Sequence, residues 1–155
     1  MKRPEKEIKD RAQIEAILHR AQVCRIAMCQ DDIPYIVPMS FGYRDNCLYF
    51  HSASVGKKIG ILRRNNRVCF ELDVDQEHVD SLIPSECTTR YRSVIGFGRA
   101  AFVTDPAEKK RALDLLMQHY ADPQSQTYEY SEKPFSKVTI IKVEIESMTG
   151  KQSGY

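Results

Sequence analysis

His51 to Lys58, H-S-A-S-V-G-K-K, joins an apolar run, Cys47 to Phe50, to a helix-like run, Ile59 to Asn65. A turn of small residues at such a junction gathers unpaired backbone N–H groups at a helix N-terminus, a natural seat for an anion. Lys57 and Lys58 add two cations at the end where the helix dipole alone disfavours them. Phosphate is the anion this arrangement suits best. A solvated turn with two surface lysines fits the octapeptide equally well. His51 opens the stretch. An imidazole with a pKa of about 6.5 suits a proton donor, and equally a side chain that only hydrogen-bonds a ligand or the backbone. His19, His78 and His119 read as surface residues.

Two other segments have compositions that favour a close ligand. Pro34 to Gly42 reads P-Y-I-V-P-M-S-F-G, with Pro38 in mid-strand. Proline cannot donate to a ladder, so this strand borders something other than a complete one: a flat ligand along its edge, or a bulged sheet edge. Tyr91 to Gly98, Y-R-S-V-I-G-F-G, combines small residues that allow close backbone approach with the Ser93 hydroxyl. Tyr35, Tyr43, Tyr49 and Phe41 read as barrel core.

The elements that must position these segments follow from periodicity. Ile8 to Ala21 is spaced as an amphipathic helix. Val23 to Cys29, Tyr35 to Tyr43 and Cys47 to His51 are strands at hairpin spacing. Ser54 is the expected N-cap of a helix ending at Leu62, and Asn65-Asn66 stops it. Arg67 to Val74 is a fourth strand, Asp75 to Thr88 a polar loop, and Arg90 to Thr104 a long strand kinked at Gly96 and Gly98. Asp105-Pro106-Ala107-Glu108 starts a helix to about His119, since Asp caps, Pro takes the first position and Glu follows three residues after the cap. Asp122 to Pro134 is a polar loop, and Lys137 to Glu146 alternates as a half-buried strand. About six mainly antiparallel strands and three helices, with no G-x-G-x-x-G or Walker motif, favour a small barrel with peripheral helices.

Composition narrows the class. The 155 residues are expected to form one domain, residues 1–155. A net charge of +2 is too small to argue for nucleic acid or a membrane surface. The first ten residues lack an apolar signal core, and no apolar run approaches the ~18 residues of a membrane span, so a cytoplasmic chain is expected. The five cysteines include no C-x-x-C pair and read as reduced thiols; Cys24, Cys29, Cys47 and Cys69 are expected in the core. Cysteine and histidine spacings match no metal-ligand pattern.

Taken in order, P-Y-I-V-P-M-S-F-G-Y, L-Y-F-H-S-A-S-V-G-K-K, Y-R-S-V-I-G-F-G, D-P-A-E-K and a final T-G-K resemble the nitroimidazole-resistance proteins. These belong to the pyridoxamine-5'-phosphate oxidase-like, FMN-binding split-barrel superfamily. The resemblance runs from about Ile8 to Lys151. It implies a mainly β, six-stranded antiparallel split β-barrel with peripheral helices, assembled as a homodimer with two flavin sites at the interface. Val37, Pro38, Met39, Ser40 and Phe41 would run beside the ring of FMN, with FAD as the alternative. His51 and Ser52 would lie near its ribityl-phosphate, and Lys57 and Lys58 would hold the phosphate. Ser93 and Val94 would come from the partner subunit. The implied activity is a flavin-dependent reductase taking electrons from a small reductant to an electron-poor acceptor such as a nitroaromatic, with His51 as its catalytic residue. A non-catalytic flavin carrier or sensor is the rival, and a haem-binding barrel a more distant one. Oxidation of pyridoxamine 5'-phosphate itself is not expected, because no arginine follows Arg111 to supply the second phosphate clamp.

Overall fold

Two turns set the register of the first half of the chain. Asp31 and Asp32 take φ of 51° and 60°, and Asp45 and Asn46 repeat those values. Paired left-handed residues make the tight turn whose twist matches adjoining antiparallel strands, and Asp and Asn tolerate that region best after glycine. The first turn joins β2 (Cys24–Gln30) to β3 (Ile33–Met39), and the second joins β4 (Phe41–Arg44) to β5 (Cys47–Ala53). The computed structural model describes residues 3–121, 128, 130, 131, 135 and 137–155. Most of the loop expected from Asp122 to Pro134 therefore lies outside the described residues.

The remaining strands are β1 (Glu7–Ile8), β6 (Arg67–Val79), β7 (Thr88–Val103) and β8 (Val138–Ser153). They form one eight-stranded antiparallel sheet in the order β3-β2-β6-β7-β8-β5-β4, with β1 against β8. The mainly β split-barrel architecture expected from the sequence is present. The strand count rises because the expected Tyr35–Tyr43 strand is two strands and because Glu7–Ile8 pairs with Lys151 and Gly150. Single-residue Ser40 carries the chain from β3, at one end of the sheet, to β4, at the other. β3 is thus an edge strand. Its ladder with β2 runs without a bulge, with Pro34 opposite Cys29 and Pro38 opposite Arg25.

α1 (Arg11–Arg20), α2 (Lys57–Arg64) and α3 (Pro106–Tyr120) pack around this sheet. α1 starts three residues later than its apolar spacing suggests, because Asp10 accepts a hydrogen bond from Ala12 N at 3.0 Å and caps it there. α3 begins as expected, with Asp105 accepting from Glu108 N at 2.7 Å. Among the described residues no helix is long and apolar enough to cross a membrane. The core runs through the barrel and under α1 and α2; Phe41, Phe50, Phe70, Leu48, Leu72 and Val94 are all fully buried.

β6 and β7 are longer than their apolar stretches. Asp75–Val79, expected in a loop, continues β6 past a bulge where Asp75 takes φ of 59°. Cross-strand ion pairs replace apolar packing there: Arg92 to Asp75 at 2.6 Å and Arg90 to Glu77 at 3.3 Å. Arg20 of α1 also pairs with Asp75, and these partners hold its carboxyl below the usual range. The kink expected near Gly96 and Gly98 is a register shift against β8 after Phe97. A Cβ at Gly98 would stand 2.3 Å from the Glu144 carbonyl oxygen, so the bulge needs glycine. All five cysteines are unpaired. Only Cys24 lies in the core; Cys29, Cys47 and Cys69 are half-buried, because each points to the outer face of its strand.

Candidate functional site

Strand alternation separates the first two residues of the octapeptide. On β5 the side chains of Leu48, Phe50 and Ser52 turn inward, while Tyr49, His51 and Ala53 face out. His51 is exposed and makes no side-chain hydrogen bond among the described residues. Beside it on the outer face, burial lifts the Tyr49 hydroxyl and the Cys47 thiol above their ordinary pKa values, so both stay protonated at neutral pH. Ser52 is 7% exposed, and its Oγ has no hydrogen-bond partner among the described residues. A buried hydroxyl left unsatisfied costs about 1–3 kcal/mol, a cost that any group bonding to Ser52 Oγ would recover.

Four residues further on, Gly56 enters α2 at φ of 126°. Ser54, the expected N-cap, does not cap. Among the described residues no side chain accepts from the first-turn N–H groups, and no carboxylate lies in that turn. The N-terminus of α2 therefore combines free donors with two ammonium groups and no internal anion. Lys57 is exposed, with Nζ 4.5 Å above the centre of the Tyr35 ring, and Lys58 is half-buried. The Lys57–Tyr35 contact ties α2 to β3. Tyr35, expected in the core, is half-buried at the barrel rim, and nothing in a lone tyrosine distinguishes the two places.

On β3 the side chains of Val37 and Met39 are half-buried against the core, and Pro38 is exposed. Ser40 is exposed at the crossing. Phe41 pairs with Phe50, which sets the crossing level with His51. The Phe41 side chain is wholly buried, and its N–H donates to Tyr120 Oη at 2.9 Å. That hydroxyl donates in turn to Gln22 O at 2.9 Å. His119 is not a surface residue: its Nε2 lies 2.8 Å from Ala21 O, and its ring packs 4.7 Å from that of Phe41. Phe41 is thus part of the scaffold. The end of α3 clamps the crossing, a role invisible in sequence because 79 positions separate Phe41 from Tyr120.

The third segment lies elsewhere in the sheet. Val94 is fully buried core, so a ligand could meet only its backbone. Ser93 is half-buried on the outer face, between Asp73 and Lys151. His51 pairs with Ile140 and Ser93 with Lys151, at opposite ends of β8. Within one chain, Lys57 of α2 meets Tyr35 of β3, Ser40 links β3 to β4 beside β5, and Ser93 stands apart from His51 along β8.

A phosphate monoester needs several donors and close to two positive charges at neutral pH. The α2 N-terminus, Lys57, Lys58 and the unpartnered Ser52 hydroxyl fit that requirement in donor chemistry.

The crystal structure of a candidate 5-nitroimidazole antibiotic resistance protein from Bacteroides thetaiotaomicron is similar to this chain at 35% identity. The match covers 94% of this chain and 86% of that one, with a TM-score of 0.83. An FAD- and haem-binding protein from Mycobacterium smegmatis shares the fold at 18% identity and a TM-score of 0.86, over 97% of this chain and 74% of that one. An uncharacterized protein of Rhizobium meliloti (strain 1021) matches over 65 residues at 32% identity, which is 42% of either chain. The family model described as pyridoxamine 5'-phosphate oxidase matches residues 10–152. With nearly its whole length matched and the split-barrel sheet in place, the chain belongs to the pyridoxamine 5'-phosphate oxidase family.

Proposed function

We propose that this protein is a flavin-dependent reductase of the nitroimidazole-resistance type, holding FMN by its phosphate at the N-terminus of α2. The observation that carries this reading is the unpartnered, buried Ser52 hydroxyl four residues before the N-cap of an uncapped helix that starts with two lysines. The 35% identity to a candidate 5-nitroimidazole resistance protein supports the acceptor class, a small electron-poor nitroaromatic. When bound, the flavin supplies the two-electron chemistry. The chain's own residues grip the phosphate, offer an imidazole on an exposed face at His51, and present the β3 edge to a planar ring. Two features favour a homodimer. Ile36, Ala27, Cys69 and Phe97 line up across four strands on the outer face, and Ile36 and Phe97 are 60% and 54% exposed. Ser93 lies on that same face of β7, so a second copy docked there could complete a site with His51 of the first. Five free thiols fit a reducing, cytoplasmic setting.

His51 lacks a hydrogen-bonded acid or base partner among the described residues, which favours one second reading: a flavin carrier without turnover. Single-turnover reoxidation of the reduced protein by a nitroaromatic separates the two. The haem-binding neighbour is 18% identical, a likeness of fold alone. The test of the whole reading is the visible spectrum of the purified protein, followed by titration of the apoprotein with FMN and with FAD. A colourless protein that takes up neither is not a flavoprotein.

Ser52→Ala gives a further expected result. Removing an unsatisfied buried hydroxyl should stabilise the flavin-free protein by about 1 kcal/mol, while weakening FMN binding about tenfold. Thermal unfolding with and without FMN reads both signs. A hydroxyl with no ligand role would leave FMN affinity unchanged.

A further inference from the structure

A groove lies between α2 and the β2–β3 turn. It has a volume of about 360 Å³ and is lined by Gln30, Asp31, Ile33, Lys57, Gly60 and Arg64, with Ile61 beneath. Lys57, Gly60 and Arg64 fall at i−3, i and i+4, on one face of the helix. Gly60 is unexplained by the fold. It sits inside α2, where glycine is costlier than alanine, and a Cβ built there meets no heavy atom within 4 Å. No packing reason therefore excludes a side chain. What the glycine provides is a flat strip of backbone between two cations. Across from it, Ile33 is a large apolar side chain left 64% exposed. At the far end Gln30 Nε2 donates to Asp31 Oδ2 at 3.0 Å, which fixes a carboxylate on the rim.

We infer that this groove binds the adenosine-phosphate half of a dinucleotide. The base would lie on the Gly60 backbone with Ile33 as its opposite wall. Lys57 and Arg64 would hold phosphate, and Asp31 would accept from ribose hydroxyls, the usual partner of a carboxylate in nucleotide sites. The volume falls in the range of small-ligand sites. Two sources carry this chemistry, FAD and a nicotinamide dinucleotide donor, and the choice between them rests on the flavin reading above. The groove itself does not.

Calorimetric titration with ADP, FMN and FAD tests this on the wild type, Gly60→Ala and Arg64→Ala. ADP should bind the wild type, and each substitution should weaken it about tenfold while FMN affinity stays within about twofold. Gly60→Ala should also raise the thermal midpoint, because alanine favours the helix and the space is open. Greater stability with weaker ADP binding is a combination that a packing role for Gly60 cannot produce. Absence of ADP binding, or ADP bound equally by all three proteins, overturns the assignment. FAD bound more tightly than FMN and displaced by ADP assigns the groove to the cofactor. Displacement by ADP of a nicotinamide dinucleotide from the FMN-loaded protein assigns it to the donor. A protein that takes ADP but no flavin leaves the groove standing and refutes the flavin reading.

Discussion

Replacing both Lys57 and Lys58 by alanine is expected to weaken FMN binding by more than about a hundredfold, at about 1.5–3 kcal/mol for each charge-assisted hydrogen bond removed. The apoprotein should not suffer. Neither lysine makes an ion pair among the described residues, and both sit where the dipole of α2 disfavours positive charge. Its unfolding midpoint should therefore hold or rise. Riboflavin supplies the control, since it carries the same ring without a phosphate. Its affinity should match in wild type and double variant. An FMN affinity that survives both substitutions, or a riboflavin affinity that falls in step, removes the phosphate from α2. The single variants divide the role. Lys57 must leave the Tyr35 ring to reach a ligand, whereas Lys58 is already half-buried beside Ile59, so Lys58→Ala should cost more.

Phe97→Glu is the second large effect. The row of Ile36, Ala27, Cys69 and Phe97 is continuous across β3, β2, β6 and β7, and the outer face of a monomer gains nothing from it. A carboxylate at its end would have to be buried unpaired against the same row of a second copy. The variant should run as a monomer in light scattering at micromolar concentration, where the wild type should run as a dimer. It should also lose FMN, because Ser93 on the same face would no longer reach a neighbouring site. Circular dichroism should stay that of the wild type, since Phe97 lies outside the barrel core. A dimer that persists in this variant moves the interface elsewhere. A wild-type monomer that binds FMN normally abolishes the shared site altogether.

Where the sequence was legible, one local rule acted alone. Asp105-Pro106-Ala107-Glu108 needs only its neighbours to start α3, and alternating Ile141, Val143 and Ile145 need only a buried face. Where it misled, a distant partner decided. Asp75–Val79 looks like loop because its composition is polar, yet Arg90 and Arg92 across the hairpin pull it into β6. Ser54 is the better N-cap by chemistry, but the left-handed turn at Gly56 sets where α2 begins. β8 runs on through Ser153 although Met148–Ser153 shows no apolar alternation, because β7 and β1 pair with it from opposite sides. The candidate site divides in the same way. That Lys57 and Lys58 open a helix was legible from the small-residue turn before them, whereas Ser52 entered only through the family resemblance. That Ser52 is buried and unpartnered, while His51 next to it is exposed, follows from which face of β5 meets the core. That Phe41 belongs to the scaffold follows from Tyr120, far along the chain.

The prolines of β3 have a consequence for the whole molecule. Pro34, Ile36 and Pro38 alternate along the free border of the sheet, facing β2 at positions where proline's missing hydrogen does no harm. The hydrogens they lack are those that would have pointed outward, so a stray strand arriving from another molecule finds a single donor, on Ile36, where three would be needed. Runaway edge-to-edge polymerisation is disfavoured along this border, the longer of the two that the sheet order leaves free.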